Sequence, residues 1–327
     1  MSESYDYKPA THWAGHDFDA ARAAYDRHVG SSYDDASRLG LDAGSLIEES
    51  VSSDAQRPLI IIVDQTGSMG DWPATMFSKL PYLEHEANWY LGDDAEICFA
   101  AIGDAYNHER YPLQVRPFAK GAELADRLKE LVIEGSGGGQ LHETYELAAL
   151  YLVRHLDIDP MAEPIVIFIG DEHYYEQISP DVAKAYCRVE LERTMPAREA
   201  FALLQAKASV YLIQKPYGSD KGDSGAETVE VHRRWASTLG EDHIAMLPDP
   251  NRVVDVIFGI LAKETNRIDD FKVEITGRQR PEQVDAVMKS LKTVHAVGPA
   301  AKALPKGSST LLVDDGDGDS SSSLLGN

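Results

Sequence analysis

From Pro58 onward the chain alternates short, continuous apolar runs with longer stretches whose apolar positions recur at helical spacing. Pro58–Val63 is a β-branched run, the pattern of a strand buried on both faces of a parallel sheet. Comparable runs at Ala95–Ile102, Pro164–Gly170, Ala208–Gln214 and His243–Leu247 predict further strands. Between them lie helical patterns at Trp72–Leu91, Ala122–Glu134, Tyr145–Leu156, Asp181–Leu204, Glu227–Leu239 and Arg252–Glu264. Pro196 falls inside the fourth of these, which predicts a kink or a split there. Leu113–Phe118 follows the second strand too closely for a crossover helix, so it is expected to pair antiparallel at an edge. The pattern therefore predicts an α/β fold: a doubly wound, mostly parallel sheet with one antiparallel edge strand.

The flanks read differently. Residues 1–56 are polar, rich in Asp, Ser and Tyr, with one helix-like stretch at Asp17–Val29 that could dock on a core. They form an N-terminal extension, partly helical, before a main domain at residues 57–266. Residues 267–297 carry a short strand candidate, Phe271–Ile275, and a helix candidate, Pro281–Val294, expected to pack on the main domain. Residues 298–327 turn to Ala, Pro, Gly and Ser and end in the acidic run Asp314–Ser323. Such a tail buries too little apolar surface to fold and is expected to be disordered.

Charge narrows the classes of partner. Among 327 residues, Lys+Arg 31 against Asp+Glu 54 leaves a net charge of −23, which argues against binding nucleic acid or an anionic membrane. No apolar run approaches the ~20 residues that span a bilayer, and the first residues show neither the basic start nor the apolar core of a secretory signal. Cys98 and Cys187 are too few for a disulfide framework or a zinc cluster, and Cys98, inside an apolar run, reads as a buried thiol. These features predict a soluble, acidic, cytoplasmic protein.

Ligands of open α/β sheets bind at the carboxyl ends of the strands, so the residues just after each strand matter most. The first strand is followed by Asp64-Gln-Thr-Gly-Ser-Met69, the second by Asp104, and Pro164–Gly170 by Asp171-Glu172. The loop before the Tyr145 helix runs from Gly135 to Thr144. Distant loops thus deliver Asp64, Thr66, Ser68, Thr144 and Asp171 to one end of one sheet. Two carboxylates and three hydroxyls are hard oxygen donors, suited to Mg²⁺, Mn²⁺ or Ca²⁺ and poorly suited to Zn²⁺ or Cu. Waters would complete the shell and leave a position open to exchange. Glycines at 135 and 137–139 would let the third loop bend sharply beneath the ion.

Asp64-x-Thr66-x-Ser68 after a buried strand, Thr144 after a glycine-rich loop and Asp171 after a later strand resemble the metal-ion-dependent adhesion site (MIDAS) of von Willebrand factor A (VWA) domains. The resemblance covers Pro58 to Glu264 and departs at Thr66, where the family more often has Ser; a Thr hydroxyl is also a metal ligand. It implies that Ser68 and Thr66 bind a divalent metal, Mg²⁺ before Mn²⁺ or Ca²⁺, directly and that Asp64 acts largely through water. Thr144 and Asp171 would complete the shell. The open position would accept an Asp or Glu carboxylate from a partner protein, making the chain an interaction module and not an enzyme. Intracellular bacterial members of this kind serve as adaptors for MoxR-type AAA+ ATPases, which offers one candidate partner.

Other readings of the same residues stay open at this level. Asp64–Ser68 could be an ordinary strand-to-helix turn with Ser68 as N-cap. A dehalogenase-type phosphatase would need a second Asp where Thr66 stands, and no Gly-x-Ser-x-Gly elbow follows a strand. A metal-bound water near His142 or His173 would make a phosphoester hydrolase, the second hypothesis. Self-assembly, with one subunit's carboxylate capping the next subunit's metal, is the third. His142–Glu146 lacks the second His of a zincin, Gly135–Gly139 lacks the Lys of a phosphate loop, and Asp315–Asp319 lacks the later positions of an EF-hand. Asp104, Glu172 and His142 read either as rim groups that hold metal-bound waters or as ordinary loop residues. Trp72 is a core residue or a partner anchor. The long segment from Glu172 to Lys207 is either helical cover for the sheet or the element that selects a partner.

Overall fold

The β-branched runs form the interior of the computed structural model, which describes residues 42–69, 72–107, 109–132, 141–217, 224–247 and 249–295. The first six strands are β1 (Val51–Ser53), β2 (Leu59–Asp64), β3 (Ile97–Ile102), β4 (Leu113–Val115), β5 (His142–Glu143) and β6 (Leu156–Ile158). They are followed by β7 (Ile165–Gly170), β8 (His173–Tyr174), β9 (Gln177–Ile178), β10 (Met195–Pro196), β11 (Ser209–Gln214) and β12 (Ile244–Met246). A six-stranded sheet runs in the order β12-β11-β7-β2-β3-β4. Its neighbours pair parallel except β4, which pairs antiparallel with β3 at the edge, Ala100 opposite Val115.

Every residue of β2, β3, β7 and β11 is buried, because helices cover both faces. Successive side chains of a strand point to opposite faces. Leu59, Ile61 and Val63 accordingly pack with the helices Trp72–Lys79, Leu83–Leu91, Glu123–Lys129 and Val253–Glu264. Ile60 and Ile62 pack on the other side with the helices Tyr145–His155, Ala197–Gln205 and Ala226–Leu239. The chain leaves β2 toward β3 on one side, while β7 adjoins β2 on the other. Strand order therefore reverses between β2 and β7, and the carboxyl ends at such a reversal are where open α/β sheets bind ligands.

Several elements differ from the sequence pattern. The Trp72–Leu91 pattern is two helices joined by a 3-10 turn, Leu80–Tyr82, where Pro81 brings no N–H to a helical ladder. Asp181–Leu204 is likewise two helices, Pro180–Cys187 and Ala197–Gln205. Arg188 ends the first in a left-handed conformation (φ 54°), and Pro196 stands immediately before the second in the short β9–β10 antiparallel pair. The strand expected at Phe271–Ile275 is a correction: this segment lies in a helix, Ile268–Arg278. Phe271 and Ile275 are buried while Val273 is 77% exposed. A strand would put all three on one face, whereas spacing of four puts only Phe271 and Ile275 on one helical face.

That helix and the next, Pro281–Ser290, pack against Val253–Glu264. Arg278 ties them in, bonding to Asp255 at 2.7 Å and Glu274 at 2.7 Å, with Glu86 at 3.6 Å. Before the main sheet, residues 42–56 include a 3-10 turn at Ala43–Leu46 and β1, which pairs parallel with β6. The Asp17–Val29 stretch, the Gly135–Gly139 loop and the tail at 298–327 lie outside the described residues. Among the described residues no helix is long and apolar enough to cross a membrane.

Candidate metal centre

Asp64 is the last residue of β2, and Asp171 directly follows β7, the neighbouring strand. Both side chains are fully buried at the reversal of strand order. After β2 the chain turns so that Asp64 Oδ1 accepts from the Thr66 backbone N–H at 2.9 Å and from the Thr66 hydroxyl at 2.6 Å. The Ser68 hydroxyl donates to Asp171 Oδ1 at 2.8 Å, and the two hydroxyl oxygens stand 3.2 Å apart. Each hydroxyl is thus within reach of a carboxylate that takes its proton, and a hydroxyl oxygen has two lone pairs with which to accept. Ser68 belongs to a 3-10 turn, Gly67–Met69, ahead of the Trp72–Lys79 helix.

Thr144 is buried, but its hydroxyl donates to the Gly103 carbonyl at 2.5 Å, with the Pro112 carbonyl at 3.3 Å. Hydrogen bonds therefore link four of the five sequence-predicted residues, and Thr144 stands outside that network. The next residue closes the link instead. Tyr145 donates its hydroxyl to Asp64 Oδ2 at 2.6 Å, across the carboxyl end of β7.

Two residues that sequence reasoning passed over complete the centre. One is Tyr145, the first residue of its helix. The other is Lys215, which follows β11 and holds that end of the sheet through its backbone N–H to the Gly170 carbonyl at 2.9 Å. Its ammonium donates to Asp171 Oδ2 at 2.6 Å and to the Ser68 carbonyl at 3.0 Å. The rule that exposed Asp64 and Asp171, reading just past each strand, also reaches Lys215 past Gln214. Tyr145 had no comparable signal beyond its place beside Thr144.

Burial and the Asp171 charge push the Asp64 carboxyl up to about 7, against the bonds from Thr66 and Tyr145 that favour its ionised form. Burial also raises Asp171, and Lys215 opposes that rise. Two like charges buried side by side are what a bound cation relieves, so the donors present fit a hard divalent ion. Among the described residues no three His, Cys, Asp or Glu side chains form a metal-holding group. A centre here would depend on the hydroxyls of Thr66 and Ser68 as much as on the carboxylates.

The rim residues divide. Glu172 is buried, and burial followed by the charges of Asp64 and Asp171 pushes its carboxyl up to about 9, so it is protonated near neutrality. Asp104 turns to Tyr106 and Tyr175, accepting the Tyr106 N–H at 2.8 Å and the Tyr175 hydroxyl at 3.0 Å. His142 pairs with His173 across the parallel β5–β8 ladder, ring centroids 5.3 Å apart, and burial lowers both imidazoles. Glu143 and Glu146 lie inside as well, and burial raises both carboxyls well above the usual range. Trp72 is half-buried and packs against the core, with its ring 5.6 Å from the Lys215 ammonium.

No family model matches the sequence, and no curated protein matches it. Among solved structures, the chain is similar to proximal thread matrix protein 1 from the mussel byssus (crystal form 2). The TM-score is 0.40 and the identity 10%, over 68% of this chain and 49% of that one. It is also similar to the pilus adhesin SpaC from Lactobacillus rhamnosus GG in its open conformation, with a TM-score of 0.44 and 9% identity. That match covers 68% of this chain and 30% of the adhesin. The chain thus spans about half or less of these proteins' length.

Proposed function

We propose that this chain is a metal-dependent protein-interaction module of the von Willebrand factor A type, with Asp64, Thr66, Ser68, Thr144 and Asp171 as its metal residues. The observation that carries the reading is the joined set of Asp64, Thr66, Ser68 and Asp171 at the reversal of strand order, where the two hydroxyls donate to the two buried carboxylates. A divalent ion, Mg²⁺ in the first instance, would supply a Lewis-acidic position for an Asp or Glu carboxylate of a partner.

The chain's own residues have distinct tasks in this reading. Thr66 and Ser68 offer neutral oxygens and leave the centre with few negative charges. Tyr145 fixes one oxygen of Asp64, and Lys215 fixes one oxygen of Asp171. Residues past β7, including Tyr175 and its contact to Asp104, form the neighbouring rim and are the proposed selectors of the partner. We place this interaction in the cytoplasm; Cys98 and Cys187 are free, buried thiols, as a reducing compartment would keep them. A MoxR-type AAA+ ATPase or its client is the candidate partner class.

Affinity capture with wild type and Asp64→Ala, each with Mg²⁺ and with EDTA, tests the reading. A protein retained only by wild type with Mg²⁺ is the expected result. Equal retention by a correctly folded Asp64→Ala protein would sink it.

A further inference from the structure

The Lys215 ammonium has three acceptors for its three protons: Asp171 Oδ2 at 2.6 Å, the Ser68 carbonyl at 3.0 Å and the Pro216 carbonyl at 3.2 Å. Its side chain is only 7% exposed, and the Trp72 ring lies over it. A surface lysine trades partners with water, but one held this way is a fixed positive charge. Asp171 is bracketed, with Lys215 on Oδ2 and the Ser68 hydroxyl on Oδ1. The fixed cation and the proposed ion therefore act on the same carboxylate and on the same serine.

We infer that Lys215 is a built-in counter-cation that competes electrostatically with the divalent ion and sets its affinity. The inference rests on the metal reading of Asp64, Thr66, Ser68 and Asp171. With both carboxylates ionised and Lys215 present, the three charged side chains carry a net formal charge of minus one; without Lys215 they carry minus two. A divalent ion then leaves the centre positive in the first case and neutral in the second. Two like charges a few ångströms apart repel substantially even at an effective dielectric near ~20, so the lysine weakens metal binding. The same charge keeps the occupied centre positive toward a partner carboxylate. Lys215 is thus a positioning and tuning residue, placed by β11 and not by the loops that carry the metal residues.

Mn²⁺ titration of the full chain, read by the loss of free-ion electron paramagnetic resonance signal, tests this. The proteins are wild type, Lys215→Met, Lys215→Gln, Lys215→Arg and Asp64→Ala, each matched to wild type by near-ultraviolet circular dichroism. The two neutral variants are expected to bind Mn²⁺ at least about tenfold more tightly than wild type. Lys215→Arg should stay near wild type because it keeps the charge, and Asp64→Ala should not bind. Neutral variants that bind no more tightly than wild type would overturn the inference and leave the metal reading standing. Binding by the neutral variants alone would uphold the inference while showing that the wild-type centre is filled by its own lysine. An absence of binding in every folded protein would overturn both.

Discussion

Gly170 ends β7 at the point where the Tyr145 hydroxyl crosses to Asp64, and its replacement by Ala is a sharp test of that approach. A Cβ at this position would stand 1.8 Å from the Tyr145 hydroxyl oxygen, 2.8 Å from its Cζ and 3.0 Å from Asp64 Cβ. The ring has little room to retreat: it is fully buried, edge-on to Trp235 at 5.2 Å and to Phe168 at 6.3 Å. The substitution must therefore break the 2.6 Å bond to Asp64 and also overpack the site. Loss of a hydrogen bond to a charged group amounts to about 1.5–3 kcal/mol, and overpacking adds about 1–3 kcal/mol, so Gly170→Ala should lose roughly 4 kcal/mol. Tyr145→Phe removes only the bond and should lose about 2 kcal/mol. In the Tyr145→Phe background the closest contact is gone, so Gly170→Ala should be milder there by about 2 kcal/mol. Urea unfolding followed by far-ultraviolet circular dichroism gives all four corners of the cycle. A loss under about 1 kcal/mol for Gly170→Ala, or strict additivity of the two substitutions, would refute the reasoning.

Three further predictions come from other parts of the fold. Burial holds the Glu86 carboxyl up at about 8 against its ordinary 4.5, although Arg278 opposes the shift. The native carboxyl binds its proton more tightly than the unfolded one, so this contribution to stability is complete below about 4.5 and is lost as pH rises toward 8. Glu86→Gln should flatten the fall in urea midpoint between pH 5 and pH 8, and an unchanged slope would contradict the shift. Arg278→Ala takes away the 2.7 Å partner of buried Asp255, which keeps Arg252 at 3.1 Å, and should lower stability by about 1.5–3 kcal/mol, the value of a hydrogen bond to a charged group, in the same assay. Ser179 caps the Pro180–Cys187 helix by accepting the Val182 N–H at 3.3 Å, so Ser179→Ala should lower stability by about 1 kcal/mol.

The strands were legible because burial on both faces leaves no polar residue to break the run, as at Leu-Ile-Ile-Ile-Val before Asp64. Three apolar residues at alternate positions make Phe271–Ile275 satisfy a strand pattern, and only packing on the Val253–Glu264 helix turns Val273 outward. Asp64, Thr66, Ser68 and Asp171 could be found by looking just past strands, since that is where an open sheet presents side chains. Lys215 could be reached by the same rule, yet its partner Asp171 is 44 positions away, and a lysine after a strand reads as a surface charge. Tyr145 meets Asp64 across 81 positions and depends on the missing side chain of Gly170, which no local pattern encodes. Glu143 precedes the Tyr145 helix and Glu146 lies in its first turn, where a carboxylate is ordinarily solvated, but the fold encloses both and favours their neutral forms.

The most direct measurement is a crystal of the full chain soaked in Mn²⁺, with data collected for anomalous scattering from the ion. The proposal predicts one strong anomalous peak in contact with the Ser68 and Thr66 hydroxyls and within reach, directly or through water, of Asp64 and Asp171. The peak should be lost in Asp64→Ala crystals. Wild-type crystals with no peak among these residues, or with Mn²⁺ bound only elsewhere, would contradict the metal-centred account.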